Sequence, residues 1–299
     1  MPVDIHGILL LDKPLGMSSA GAVARIKYLF QARKAGHTGS LDPLASGLLP
    51  ICFGEATKFG AQMLDADKTY RVTARLGERT ASADLESPIV ERRDLPPFTG
   101  SEIEAALGAF PRDYQQVPPM HSALKQDGRP LYEYARAGIT RERAARRIAI
   151  HALTLIEWRT PDLHFEVRCS KGAYIRVLAE DLALRLGTIA HLVALRRIGV
   201  APFDSEHLWT FEALEAQGAA ERLRLLLPVD AALGDWRRFD LPDDGVAAFR
   251  QGQSVEVSGC SPGNVRIYAA GLGFLGLGEV RAAGRLVPLR LISAVENRA

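Results

Sequence analysis

Residues 36–47 read Gly-His-Thr-Gly-Ser-Leu-Asp-Pro-Leu-Ala-Ser-Gly and place His37, Thr38, Ser40 and Asp42 in one narrow window. Three Gly and one Pro in those twelve residues exclude a long helix or a central strand, so the segment is a loop with enforced backbone geometry. An Asp followed by Pro is a common turn device, and on residue types alone loop capping is the leading reading of Asp42. A Ser-His-Asp triad fits less well, because the three side chains crowd into six residues and no G-x-S-x-G elbow surrounds Ser40. A metal site needs more ligands than this loop offers, and no other His or Cys is spaced to complete one. Gly271-Leu272-Gly273-Phe274-Leu275-Gly276 is a literal G-x-G-x-x-G, yet only 23 residues follow it. They read as strands, where a dinucleotide fold requires a helix.

The elements that must hold such a loop are legible around it. Ser18 or Ser19 caps a predicted helix whose apolar face is Val23, Ile26 and Phe30. Lys68 to Leu76 alternates as a strand, with Tyr70, Val72, Ala74 and Leu76 on one face. Ser101 with Glu104 reads as a capping box before Ile103, Leu107 and Phe110. Leu163, Phe165, Val167 and Cys169 form a further alternating run, which passes through Lys171-Gly172 into a helix carrying Ile175, Leu178, Leu182 and Leu186. Strands and helices interleave without a steady βαβ rhythm, so the expected class is α+β. Between Pro228 and Asp244 the texture changes, and short alternating runs such as Val265–Ile267 and Leu286–Leu291 predict a compact β domain at the end of the chain.

Composition narrows the setting. The 299 residues carry a net charge of only +2, which does not announce a nucleic-acid binder. The distribution is more telling: between His121 and Ile150 seven Lys/Arg face three Asp/Glu. Cys52, Cys169 and Cys260 are odd in number and far apart, which argues against a disulfide framework and fits a reducing compartment. The only apolar run near the amino terminus, Ile8 to Leu11, is too short for a signal-peptide core or a membrane span, and a cytoplasmic protein is expected.

The twelve-residue loop resembles the signature loop of the TruB pseudouridine synthases, whose usual form has Ala and Thr where this chain has Ser40 and Ser46. Other blocks agree in order and spacing. Gly7-Ile8-Leu9-Leu10-Leu11-Asp12-Lys13-Pro14 resembles the family's opening motif, Gly54 to Phe59 follows the loop, and Asp67-Lys68-Thr69-Tyr70 matches the K-x-Y block. Lys171 to Arg176 and His191 to Arg197 match two later motifs. The likeness covers roughly residues 5–235; the tail resembles, more weakly, the family's small PUA-like RNA-binding domain. It implies a catalytic domain over 1–235 built on a large mixed, mainly antiparallel sheet flanked by helices, and a small C-terminal β-rich PUA-like domain over 236–299.

The resemblance also implies an activity: isomerisation of a uridine in the T-loop of tRNA to pseudouridine. That reaction breaks the N1–C1′ bond, turns the uracil and rejoins it through C5, with no cofactor. Asp42 is expected to attack the ribose or to take a proton from it. Arg176 would pair with Asp42 and orient it, and Tyr70 would lie against the flipped uracil and help remove the C5 proton. His37 would contact RNA beside the everted base, Tyr174 and Leu195 would line the pocket, and Lys13 would lie near its floor. Lys125, Arg129, Arg136, Arg141, Arg143, Arg146 and Arg147 fall where the family carries an RNA-gripping insertion, about 121–150. A solvated charged helix is the plain alternative there, and Tyr132 and Tyr134 are open to packing inward or stacking on bases. His121 stands where the family pattern has an aromatic. The expected partner is the tRNA T-arm, met by a monomer with no membrane contact and no obligate protein partner. The rival readings are a guide-RNA-dependent relative, an RNA-binding module with catalysis lost, and a glycoside hydrolase; the last would need a second acid.

Overall fold

The alternation of Lys68 to Leu76 is realised as a strand at the centre of a nine-stranded sheet, with Tyr70, Val72, Ala74 and Leu76 all buried. The computed structural model describes residues 2–293, so the final residues of the tail expected at 236–299 lie outside the described residues. In chain order the large sheet and its helices comprise β1 (Gly7–Lys13), α1 (Ser19–Leu29), β2 (Ala35–His37), β3 (Ala45–Phe53), α2 (Gly60–Asp65), β4 (Lys68–Leu76) and α3 (Gly100–Gly108). They continue with β5 (Asp113–Gln116), α4 (Leu131–Arg136), β6 (Arg146–Arg159), β7 (Asp162–Cys169), α5 (Ile175–Arg185) and β8 (Ala190–Val200).

The sheet order is β1-β3-β8-β4-β7-β6-β5, with β2 beside β3 and a ninth, two-residue strand at Phe203–Asp204 beside β8. Every neighbour pair on this path is antiparallel except β8 with β3, which run parallel with Leu195 opposite Ala45. That one parallel pair brings the end of the loop at 36–47 beside the strand that carries Leu195 and Arg197. Helices α1, α3 and α5 bury Ile26, Ile103, Leu107, Leu178 and Leu182 in one cluster with the sheet's Val72, Phe165 and Val167.

Local caps follow the residue chemistry. Ser18 is the N-cap of α1, its hydroxyl accepting the Gly21 N–H at 3.1 Å. The capping box of α3 is formed by Thr99 and Glu102. This corrects the expected Ser101/Glu104 pair by two residues: the helix begins at Gly100, so Ser101 is already inside its first turn. In the basic segment only Leu131–Arg136 is helical, and most of its cations lie in the short hairpin and loop around that turn. Tyr134 packs inward and is buried.

After the Leu227 main chain pairs with Ile8 of β1, a second sheet begins at residue 237. Its strands are β9 (Arg237–Asp240), β10 (Val255–Glu256), β11 (Gly263–Ala269), β12 (Gly273–Arg281) and β13 (Arg285–Leu291), in the order β9-β11-β12-β13-β10. It has its own buried cluster of Phe249, Val265, Ile267, Val280 and Leu286. The G-x-G-x-x-G run forms the β11–β12 turn and the start of β12, and among the described residues no α-helix follows it. No helix among the described residues is long and apolar enough to cross a membrane.

Candidate active site

The loop at 36–47 is gripped at Gly39, Leu41 and Pro43 by Arg197, Ser19 and Gly16, and is braced by a turn of its own. The Leu41 N–H donates to the Ser19 hydroxyl at 2.7 Å, and that hydroxyl donates back to the Leu41 carbonyl at 3.0 Å. The Gly16 N–H donates to the Pro43 carbonyl at 2.8 Å, and the Ala45 N–H closes a turn on the Asp42 carbonyl at 3.0 Å. From β8, Arg197 donates to the carbonyls of Gly39 and Leu48 at 3.1 and 2.8 Å. Gly47 must be glycine: its φ is +100°, and a Cβ would sit 2.2 Å from the Arg197 carbonyl across the parallel strand pair.

On this rigid support Asp42 meets Arg176, with Oδ2 2.9 Å from Nη2. The Arg176 side chain is 5 % exposed and that of Asp42 43 %, so the pair presents its carboxylate to solvent and keeps its cation inside. Arg176, in the first turn of α5, also donates to the carbonyls of Ser82 at 3.0 Å and His121 at 2.8 Å. Its Nε lies 3.6 Å from the buried carboxylate of Asp84, which takes the Ser82 hydroxyl and the Glu86 N–H. A buried guanidinium held by so many acceptors has little freedom, and it fixes the direction in which Asp42 points.

Asp42 opens onto a cleft of about 280 Å³ whose walls include Leu64, Lys68, Tyr70, Tyr174, Leu195 and Arg197. Among the described residues Asp42 is its only carboxylate; Asp84 does not line it, but lines a small adjoining pocket with Asp42 and Arg176. Sheet register explains the far wall. Arg197 of β8 is the partner of both Gly47 in β3 and Tyr70 in β4, so its guanidinium reaches the loop carbonyls and the Tyr70 phenol together. Burial pushes the Tyr70 phenol above its ordinary pKa, and the Arg197 charge opposes that shift. Burial likewise pulls the Arg197 guanidinium below its usual value, and the Lys68 ammonium down to about 8.

Of the residues expected at the site, Asp42, Tyr70, Arg176, Tyr174 and Leu195 come together around this cleft. Tyr174 is fixed by Gln116, whose amide accepts the Tyr174 N–H at 2.8 Å and donates to its carbonyl at 3.0 Å. Lys13 lies beneath the cleft, fully buried, with Nζ on the carbonyls of Pro14 and Met17 at 2.9 and 2.7 Å. Its pKa is lowered to about 8 because burial outweighs the attraction of Asp42. His37, on β2, is half-buried and outside the cleft lining; burial and the Arg197 charge lower its pKa, and its Nδ1 has no hydrogen-bond partner.

The basic segment is heterogeneous. Lys125, Arg129, Arg136, Arg146 and Arg147 are exposed, the last pairing with Asp113 at 2.9 Å. Arg141 stacks over Tyr134 at 4.6 Å, and Arg143 donates to the carbonyls of Pro118 and Arg141 at 2.9 and 2.7 Å. Arg197, Lys68 and Asp84 were not among the residues expected to act. Lys68 and Arg197 belong to the motifs at 67–70 and 191–197, but only the strand register shows that they face the cleft.

The large, mainly antiparallel sheet thus brings one ion-paired carboxylate to a cleft of about 280 Å³. The solved Cbf5-Nop10-Gar1 complex contains a chain that superposes with a TM-score of 0.72 at 25% identity, covering 96% of this chain and 84% of that one. The chain belongs to the TruB family. It matches "TruB family pseudouridylate synthase (N terminal domain)" over residues 27–175, "tRNA pseudouridylate synthase B C-terminal domain" over 176–234 and "Pseudouridine synthase II TruB, C-terminal" over 238–292. It is 50% identical to the tRNA pseudouridine synthase B of Sodalis glossinidius, over 97% of this chain and 96% of that protein. It is 49% identical to that of Nitrosococcus oceani, over 97% and 95%.

Proposed function

We propose that this protein isomerises uridine to pseudouridine in tRNA, at the T-loop uridine of position 55, with Asp42 as the reacting carboxylate. The observation that carries the reading is the Asp42–Arg176 pair, whose exposed carboxylate is the only one lining the cleft among the described residues. A glycoside hydrolase works with two carboxylates flanking the bond it breaks. Here the second nearby acid, Asp84, is buried and turned toward Arg176 and Ser82, which favours isomerisation.

The target base must leave its stack to reach Asp42, at a cost of a few kcal/mol that contacts in the cleft offset. Leu195 and Tyr70 offer apolar surface to the uracil, while Asp42 faces the ribose and either attacks C1′ or removes a ribose proton. On either route the N1–C1′ bond breaks and uracil leaves as its anion. The base turns, and C5 bonds to C1′ as the Asp42 carboxylate is released or the ribose proton is returned. The proton on C5 then departs, and N1 takes up a proton. We take Tyr70, which lines the cleft, to assist the departure from C5. Burial keeps its phenol protonated, and the adjacent Arg197 guanidinium is the group that lowers the cost of forming phenolate. Lys125, Arg129 and Arg146 are exposed and free to meet phosphates, whereas the guanidinium of Arg143 already satisfies two carbonyls. We take the T-arm as the RNA bound, the β domain from about 236 as a further RNA-binding unit, the protein as a monomer without an obligate protein partner, and the cytoplasm as its site of action.

The test uses a T-arm stem-loop carrying tritium at uridine C5, with wild type and Asp42→Asn compared. Tritium release by wild type alone, with RNA binding retained by both, is the expected result. Release by neither, with binding intact, would replace the enzyme by an RNA-binding module.

A further inference from the structure

We propose that the C-terminal sheet is a positioning element of the active site, acting through residues 54–68, with Phe274 as its principal side chain; this rests on the function proposed above. The chain leaves the loop of Asp42 along β3, makes a short 3-10 helix at Gly54–Phe59, forms α2 and returns as β4, which carries Tyr70. Residues 54–68 therefore join two parts of the site. Their inner side builds the cleft wall from Leu64 and Lys68. The Lys68 ammonium gathers the carbonyls of Met63, Leu64 and Ala66 at 2.9, 2.7 and 2.7 Å, and a Cβ on Gly60 would lie 3.6 Å from the Thr38 methyl of the Asp42 loop.

The outer side of the same segment is docked on the second sheet. Phe59, 1 % exposed, meets Phe274 of β12 edge-on, with ring centroids 5.4 Å apart, in a buried cluster with Leu233 and Leu277. Lys58 donates to the Leu291 carbonyl at 3.1 Å, and its ion-pair partner Glu55 accepts the Ser293 N–H at 2.7 Å. These contacts hold Phe59, the residue from which α2 starts, and a six-residue helix has too few internal hydrogen bonds to hold a position by itself, so the placing of α2 depends on that anchor. Withdrawing the outer support lets Leu64 and Lys68 drift. A displacement of about 1 Å at a reacting site costs up to about 10²-fold in rate. The C-terminal sheet thus acts on the rate at saturation as well as on RNA affinity.

The experiment measures single-turnover tritium release from the T-arm stem-loop for wild type, Phe274→Ala and Phe274→Leu, with hydrogen–deuterium exchange of residues 60–68 followed in the same proteins. Phe274→Ala is expected to lower the saturating rate about tenfold while changing the half-saturating RNA concentration less than about twofold, and to speed exchange at 60–68. Phe274→Leu, which refills the space, is expected to recover most of the rate and protection. Should Phe274→Ala fail to fold, Lys58→Met, which leaves the Phe59–Phe274 packing in place and removes the Leu291 contact together with the Glu55 ion pair, is read for the same pattern. A raised half-saturation with unchanged saturating rate and unchanged exchange would make the C-terminal sheet a binding module alone and overturn the proposal. Exchange at 60–68 reports on the support even if wild type released no tritium, so a failure of the assigned reaction is separable from a failure of this inference.

Discussion

Asp42 and Arg176 divide one ion pair unequally: the carboxylate faces the cleft and the guanidinium is enclosed by carbonyls of Ser82 and His121 and by Asp84. Lysine cannot reproduce that fork, so Arg176→Lys is expected to lower the single-turnover rate roughly 10²-fold or more with RNA binding largely retained. Rate and binding measured on one preparation decide this, and a loss of binding matching the loss of rate would refute it. Lys13 gives a prediction in pH. Its folded pKa is lowered from 10.5 to about 8, so between those values the unfolded chain holds a proton that the folded chain has released. Stability contributed by this group therefore rises as pH increases through that window and is at its lowest below about 8. Denaturant melts of wild type and Lys13→Met at two pH values spanning the lower half of that window should show the wild type gaining on the variant by about 1–2 kcal/mol. A constant difference would mean that Lys13 titrates normally.

At the scale of elements, the site depends on a loop that is rigid because others grip it. Ser19 both donates to and accepts from Leu41, next to Asp42, and is itself buried. Ser19→Ala leaves a buried N–H and carbonyl without partners and is expected to cost about 1–3 kcal/mol of stability, with a rate loss at saturating RNA, both read on the purified variant. Gly47 is the stricter case. An added methyl would meet the Arg197 carbonyl at 2.2 Å on a backbone of φ +100°, so Gly47→Ala should separate β3 from β8 and destabilise by more than about 3 kcal/mol. A thermal melt within a few degrees of wild type would show that the strand pair tolerates it.

For the whole molecule, the question is which surface meets RNA. Net charge is close to neutral, so binding must draw on local excess such as that between residues 121 and 150. Reversing Lys125, Arg129 and Arg146 together should weaken T-arm binding and reduce the slope of log K against log salt by about 2, given about 0.7–0.9 per phosphate contact. Reversing Arg143 alone should mainly lower stability, because its guanidinium ties Pro118 to Arg141. Filter binding across a salt series, alongside melts, separates the two effects; equal salt slopes throughout would make the segment ordinary solvated surface.

Much of this was legible in the chain itself. The loop at 36–47 announces its rigidity by Gly and Pro content, the alternation at 68–76 and 163–169 fixes which side chains face the core, and ordered motifs fix the family. These are local properties, set by backbone preferences and by periodicity over a few residues. The register of α3's cap slipped by two because Thr99 and Ser101 offer equivalent hydroxyls, each followed three residues later by Glu, and only the entry path of the chain selects between them. The tertiary structure decided the rest. Arg197 faces Tyr70 because β8 lies between β3 and β4 in one register, and a one-residue slip would turn its side chain to the other face. Asp84 lies against Arg176, and Phe274 packs on Phe59, through contacts between segments far apart in sequence. Such contacts carry no local signature, since what creates them is the joint packing of strands whose order along the sheet differs from their order along the chain.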